Sequence, residues 1–263
     1  MKTLEPQLAY DSFLEQLRTA SSCVLLLDYD GTLAPFNVDR SLALPYPELP
    51  PLITRIMQQG TRVVLISGRP AREVLLLSRI YPQPEVWGSH GLERLRADGS
   101  YEVAPVPHEQ HEILSRAVRL LRMDGLNEHL EIKPGGIAVH WRGLSRQAAL
   151  EIDGRVRQLC RPLLEQCPLD FLEFDGGIEI RVPGRDKGDA VSTILGESDP
   201  RAAVAYLGDD QTDEEAFKAL KGKGLTVLVR AQSRATAADV WLQPPQELVQ
   251  FLEDWLRAAG GQL

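Results

Sequence analysis

Residues 24–36 read VLLLDYDGTLAPF. A short, unbroken apolar run that ends in a turn signal suits a strand buried on both faces. Asp28 and Asp30 stand two positions apart where that strand ends. Strand side chains alternate, so both carboxylates face one way if the extended geometry continues. Gly31 then permits a tight turn, and the amides of Gly31 and Thr32 can face an anion. Alone, the pair is equally compatible with loop acids or a helix N-cap.

Further strands of the same kind follow. RVVLI starts at Arg62, EVWG at Glu85, AVAYLG at Ala203 and LTVLV at Leu225. Helical patterns lie between them. Leu49, Leu52, Ile53 and Ile56 share one face of a helix that stops at Gly60, and Pro70 suits the first turn of the next. Strands alternating with helices predict a doubly wound parallel α/β sheet. The middle of the chain departs from this pattern. LEIKPGGIAVHWR (130–142) and LDFLEFDGGIEIRV (169–182) each predict a hairpin turning at a glycine pair. Ala149, Ile152, Val156 and Leu159 mark a helix between them. The expected layout is a Rossmann-like core over residues 1–105 and 184–263, with an α+β cap inserted over 106–183.

The 263 residues carry a net charge of −8, which argues against nucleic-acid or anionic membrane-surface binding. The three cysteines, Cys23, Cys160 and Cys167, form no CxxC pair, so neither a disulfide framework nor a structural zinc is expected. No apolar run approaches the ~18–20 residues that span a bilayer, and the N-terminus lacks an apolar leader. A cytoplasmic protein, monomeric, is the expectation.

The ends of the strands carry the chemistry, because open α/β sheets bind ligands at that lip. Ser67 and Arg69 follow one strand, and Asp209, Asp210, Asp213 and Glu214 follow another. Lys187 opens a helix, an electrostatically poor place for a cation unless it has a role. Acids crowded at one lip repel unless a cation joins them. Oxygen donors without His or Cys point to Mg²⁺, with Asp28, Asp30, Asp209 and Asp210 as ligands and Asp213 behind them. The matching chemistry is phosphoryl transfer. Asp28 would be the nucleophile and Asp30 the acid and base, while Lys187, Ser67 and the Gly31 and Thr32 amides balance charge. Arg69 reads equally as a substrate contact or a structural ion pair. His90, in GSHG, reads as a substrate group or a local hydrogen-bonding one.

DYDGT, ISGR, a lone lysine opening a helix and GDDQTDE, in this order, resemble the four motifs of haloacid-dehalogenase-type (HAD) phosphatases. DYDGTL, SGR, GSHGLE, EIK at Glu131, Glu179 in GIEIR, DKG and GDDQTDE are together similar to the trehalose-6-phosphate phosphatases. The resemblance covers essentially the whole chain. It implies a Mg²⁺-dependent phosphatase acting on trehalose 6-phosphate, a small sugar phosphate, alongside a trehalose-6-phosphate synthase. It also implies that Glu131, Lys133 and Glu179 grip sugar hydroxyls. On sequence physics alone these read as a solvated strand face. Two departures stand out: Val182 intervenes before Pro183 where the family often has a proline, and Trp141 replaces a tyrosine. A phosphatase of sucrose 6-phosphate or glucosylglycerol phosphate is the near alternative. A phospho-acceptor signalling module fits less well, because Asp30 is placed to hydrolyse a phosphoaspartate.

Overall fold

The structure, a computed structural model, describes residues 2–3, 10–174 and 176–260. Residues 4–9, within the stretch read above as lacking a leader, and Asp175 of the second hairpin lie outside these. The chain divides into two compact units, Met1–Glu102 with Asp186–Leu263, and Val103–Arg185.

The elements up to residue 103 are β1 (Lys2–Thr3), α1 (Tyr10–Thr19), β2 (Cys23–Leu27), α2 (Leu49–Gln58), β3 (Arg62–Ile66), α3 (Ala71–Ser78), β4 (Glu85–Gly88), β5 (Glu93–Leu95) and β6 (Tyr101–Val103). The second unit continues with α4 (His108–Met123), β7 (Leu130–Lys133), β8 (Gly136–His140), α5 (Arg146–Leu164), β9 (Asp170–Phe174) and β10 (Gly177–Arg181). The chain then returns to the first unit with α6 (Lys187–Glu197), β11 (Ala203–Gly208), α7 (Glu214–Leu220), β12 (Leu225–Val229), β13 (Val240–Leu242) and α8 (Gln246–Ala259).

The large sheet runs β1-β13-β12-β11-β2-β3-β4-β5-β6. The six strands from β13 to β4 are parallel, and β1 and β5 pair antiparallel at the flanks. The expected doubly wound α/β sheet is therefore present. Every residue of β2 is buried, because both faces are covered. Cys23, Leu25 and Leu27 join one apolar cluster with Phe13, Leu49, Ile53 and Trp255, while Val24 and Leu26 join another with Ala190, Ile194 and Phe217. The sheet thus separates a layer of α1, α2, α3 and α8 from a layer of α6 and α7. Strand order reverses between β2 and β11, which opens a crevice at their carboxyl ends.

A partly buried ionic network ties α6 to this sheet. Glu85 accepts hydrogen bonds from Arg62 (2.8 Å), Arg94 (2.8 Å) and the Trp87 indole (2.8 Å). Both arginines also reach Glu197 at the last turn of α6, at 2.9 and 2.6 Å. The second unit is an antiparallel sheet, β7-β8-β10-β9, with α4 and α5. Ile137, Val139, Ile178 and Ile180 are buried on one face of it. Both hairpins lie where the glycine pairs predict them. The cysteines are unpaired and buried, and among the described residues no helix is long and apolar enough to cross a membrane.

The hydrogen bonds of Arg94, followed by those of Arg62, hold the Glu197 carboxyl down at about 2, against an ordinary 4.5. A depressed carboxyl stabilises the fold above its unfolded value, and this is lost as pH falls through the folded one. Because the Glu197 side chain is 38% exposed, the effect is on the order of 1 kcal/mol. Glu197→Gln should therefore melt below the parent protein at pH 7, and the gap should close between pH 4.5 and 2. Calorimetric melts at both ends of that range test this.

Candidate active site

The crevice at the reversal point is built by three loops and one helix start. After β2 the amide of Asp28 still donates to Leu207 of β11, at 2.9 Å, so the two strand ends stay in register. Asp28 is buried. One carboxylate oxygen accepts from Lys187 Nζ at 2.6 Å and the other from the Thr32 hydroxyl at 3.0 Å. Gly31 has φ +82°, and a Cβ there would lie 2.1 Å from Asp209 Oδ2. Glycine is thus required both by the backbone conformation and by the approach of Asp209.

Lys187 is the first residue of α6. Asp186 caps this helix by accepting from the amides of Gly188 (2.7 Å) and Asp189 (3.1 Å), and Asp189 accepts in return from the Asp186 amide. Fixed there, Lys187 bridges Asp28 and Asp213, the latter at 2.7 Å. Burial works against its charge, but Asp213 and Asp28 outweigh it and raise its pKa.

Asp213 is completely buried. One oxygen accepts from Lys187 and from the Tyr206 hydroxyl at 2.6 Å, and the other accepts from the amides of Asp209 (3.0 Å) and Asp210 (2.9 Å). Each lone-pair direction of the carboxylate thus has a donor. The arrangement lets Asp213 orient the Asp209–Asp210 loop and Lys187 together. Gly208 makes room for it, since a Cβ there would come within 2.4 Å of Asp213 Cγ. Arg234 holds the same loop from outside, donating to the carbonyls of Asp210 (2.7 Å) and Asp209 (3.3 Å).

Ser67, Arg69 and His90 form the flank. Arg69 is buried and takes both oxygens of Asp30, at 2.6 and 2.7 Å. It also pairs with Glu73 and donates to the carbonyl of Arg40. Between the two sequence readings of Arg69, this geometry favours the ion pair, one that fixes Asp30. His90 is buried at φ 55°, its amide donates to the Ser67 carbonyl at 3.0 Å, and its ring packs where a Cβ on Gly68 would be. It shapes the Ser67–Arg69 turn. Glu93 helps by accepting from the Ser89 hydroxyl and from the Ala71 amide that opens α3.

Asp28, Asp209 and Asp213 each offer an oxygen within 4.8 Å of the others. Their charges face one lysine, and the ion pair of Asp209 with Arg230 is long, at 4.0 Å. Burial, with the neighbouring Asp213 charge, pushes Asp28 up against the pull of Lys187. Burial and the charge of Asp28 push Asp209 well up. A divalent cation fits this excess of negative charge. Of the other two ligands expected from sequence, Asp30 pairs with Arg69, and Asp210 opens the turn that Asp213 closes.

In the second unit, cross-strand register aligns Glu131, Ala138 and Glu179, and beside them Lys133, Gly136 and Arg181. Directly paired residues share a face, so these six lie together, opposite the isoleucines. Lys133 spans the small residues of β8 to reach Glu179 at 2.7 Å, and it lies 3.6 Å from Glu131. His140, one step further along β8, meets Glu131 at 2.9 Å. The result is a charged face on which Gly136 and Ala138 lie between two rows of ionic side chains.

Tyr206 is the functional group that sequence reading overlooked. Its place before GDD reads as a packing aromatic, and only its hydroxyl contact with Asp213 reveals the second role.

The family model described as trehalose-phosphatase matches residues 26–246. A trehalose-phosphate phosphatase of Mycobacterium avium is 31% identical over 87% of this chain. The chain spans 61% of that relative's length. The trehalose-6-phosphate phosphatase C-terminal domain of Candida albicans superposes with a TM-score of 0.76 at 20% identity, covering 99% of both chains. A phosphatase of the haloalkanoate (HAD) superfamily from Bacteroides thetaiotaomicron gives 0.62 at 17% identity, over 95% of this chain and 98% of that one. The fold is thus that of the HAD phosphatases.

If the acidic cluster holds a cation, adding Mg²⁺ to chelator-stripped protein should raise its melting temperature. Saturation at a hundred times Kd corresponds to about 2.7 kcal/mol. Asp209→Asn should remove most of that rise in a fluorimetric melt, and an undiminished rise would place the cation elsewhere.

Proposed function

Because the chain belongs to the trehalose-phosphatase family, we propose that it hydrolyses trehalose 6-phosphate to trehalose and phosphate through a phosphoaspartate on Asp28. The observation that carries this reading is the buried Asp28–Lys187–Asp213 triad at the sheet's reversal point. A carboxylate held by a lysine and a threonine hydroxyl at a strand end is a fixed nucleophile.

In the first step Asp28 attacks phosphorus and the bond from phosphorus to the sugar oxygen breaks. Asp30 gives its proton to that oxygen, and trehalose leaves. In the second step Asp30 takes a proton from water, the water oxygen attacks phosphorus, and the bond to Asp28 breaks. The Asp28 carboxylate is restored and Asp30 is reprotonated. Arg69 takes both Asp30 oxygens in the structure, so one of these bonds opens when Asp30 carries the proton, and the other keeps the carboxyl oriented. Lys187, the Ser67 hydroxyl and the Thr32 amide offset charge on the phosphoryl oxygens, whereas the Gly31 amide, expected from sequence to join them, donates to the Ala34 carbonyl at 2.7 Å. Asp28 and Asp209 would hold a Mg²⁺ ion, with Asp30 and Asp210 as the further ligands expected from sequence, and that ion would add Lewis-acid stabilisation of the same charge. Glu131, Lys133 and Glu179 bind sugar hydroxyls, because carboxylates accept from hydroxyls and a lysine donates to them. A synthase that forms trehalose 6-phosphate would supply the substrate in the cytoplasm.

Asp28→Asn should abolish turnover in a protein that still folds, with its melt shifted because Lys187 loses one of its two partners. Near-parental turnover in a folded variant would refute the nucleophile. Phosphate release should favour trehalose 6-phosphate over sucrose 6-phosphate, glucose 6-phosphate, glucosylglycerol phosphate and an aryl phosphate. Glu131→Ala should raise KM for the disaccharide phosphate by about tenfold. Its effect on the aryl phosphate should be much smaller. Equal effects on the two substrates would remove Glu131 from sugar recognition.

A further inference from the structure

We propose that Arg230, which no sequence motif singled out, competes with the divalent cation for Asp209 and so sets how tightly that cation is held. The inference rests on the reading of Asp28 and Asp209 as the cation site. Asp209 directly follows β11, and Arg230 directly follows β12, its parallel neighbour. The backbone of Arg230 is pinned. Its amide donates to the Leu242 carbonyl at 2.9 Å, and its carbonyl accepts from the Trp241 indole at 2.7 Å. The side chain is less committed. It is 38% exposed, its guanidinium donates to the main-chain carbonyl of Asp209 at 3.3 Å, and it lies 4.0 Å from Asp209 Oδ2, beyond hydrogen-bond reach. The Asp209 carboxylate is buried, yet among the described residues it accepts no hydrogen bond. The other basic groups at this lip are taken. Lys187 serves Asp28 and Asp213, and Arg234 serves Glu214 and the carbonyls of Asp209 and Asp210. Arg230 is therefore the protein's own counter-charge to Asp209.

Two opposed effects can follow from such a contact. An arginine that orients a ligand strengthens cation binding. One that only neutralises it weakens binding, because a guanidinium and a divalent ion repel each other at the same carboxylate. The geometry favours the second. Asp209 is oriented without Arg230: its amide donates to Asp213 at 3.0 Å, the Gly31 backbone closes on its carboxylate, and Arg234 holds the carbonyls of the loop. The partly exposed Arg230 side chain can withdraw toward water as an ion enters, giving up a contact too long to be a hydrogen bond. Occupancy of the site would then follow the free cation concentration.

The test titrates Mg²⁺ into the chelator-stripped parent protein and into Arg230→Gln, Arg230→Lys and Arg234→Gln. Titration calorimetry reads Kd, and the rise in melting temperature on adding Mg²⁺ reads it a second way. Melts without added metal confirm that each variant is folded, and Arg230→Met repeats the loss of charge so that the result does not hang on one variant. Arg230→Gln should bind Mg²⁺ about fivefold more tightly than the parent. The gain should largely vanish in about 1 M monovalent salt, because a partly exposed charge is screened there. Arg230→Lys should stay near the parent. Arg234→Gln should bind more weakly, because it frees the loop that carries Asp209. Unchanged or weaker binding by folded Arg230→Gln and Arg230→Met overturns the competition while leaving the cation site in place. Equal tightening in Arg230→Lys overturns it too, by assigning the effect to packing instead of charge. Absence of Mg²⁺ binding by the parent, or undiminished binding by Asp209→Asn, overturns the cation reading and this proposal with it.

Discussion

The structure depends most on one buried cation. Lys187 sits between Asp28 and Asp213, at 2.6 and 2.7 Å, with all three groups removed from water. Carboxylates this deep repel one another and lose their hydration, so the pair could not persist ionised without an internal counter-charge. The lysine is held at its post from behind, by the helix cap at Asp186 and by the Arg62–Glu85–Arg94–Glu197 network at the far end of the same helix. Through Asp213 the restraint extends to the amides of Asp209 and Asp210. A single charge thus sets the position of two strand ends, a loop and a helix.

Much of this was legible in the chain. β2, β3 and β11 are continuous apolar runs, and such runs betray strands buried on both faces. Each ends in polar residues, so the lip of the sheet could be located before the sheet was seen. Lys187 was conspicuous for standing where a helix dipole disfavours it. What stayed hidden are pairings between distant residues. Nothing local announces that Asp30 pairs with Arg69, 39 positions away. Tyr206 was hidden because a tyrosine in a strand serves packing and hydrogen bonding with the same ring. The bonds from the Asp209 and Asp210 amides to Asp213 were hidden too, since backbone amides that select one carboxylate leave no mark on side-chain identity.

The second unit shows a different limit. Its hairpins follow from the glycine pairs, but the grouping of its charges follows from register, which the pattern alone does not fix. Only when Gly136 and Ala138 align between Glu131–Lys133 and Glu179–Arg181 do scattered charges share one face. Small residues on a central strand therefore act as much as the charged ones beside them, by letting a lysine reach across to its partner.

The separation of the first unit into two apolar layers divides its tolerance to change. The layer of α6 and α7 supports Lys187 directly and lies beneath Asp213, whereas on the other face α3 reaches the site through Glu73, which pairs with Arg69, and α1 and α8 pack further back in the cluster of Phe13 and Trp255. Loosened packing around Ile194 or Phe217 is transmitted to the ion triad without an intermediary. Comparable loosening around Phe13 or Trp255 must first bend a sheet braced on its other side. Sequence drift therefore has more latitude in one half of this core than in the other, and an engineer seeking robustness without altered chemistry would begin on the α1–α8 side.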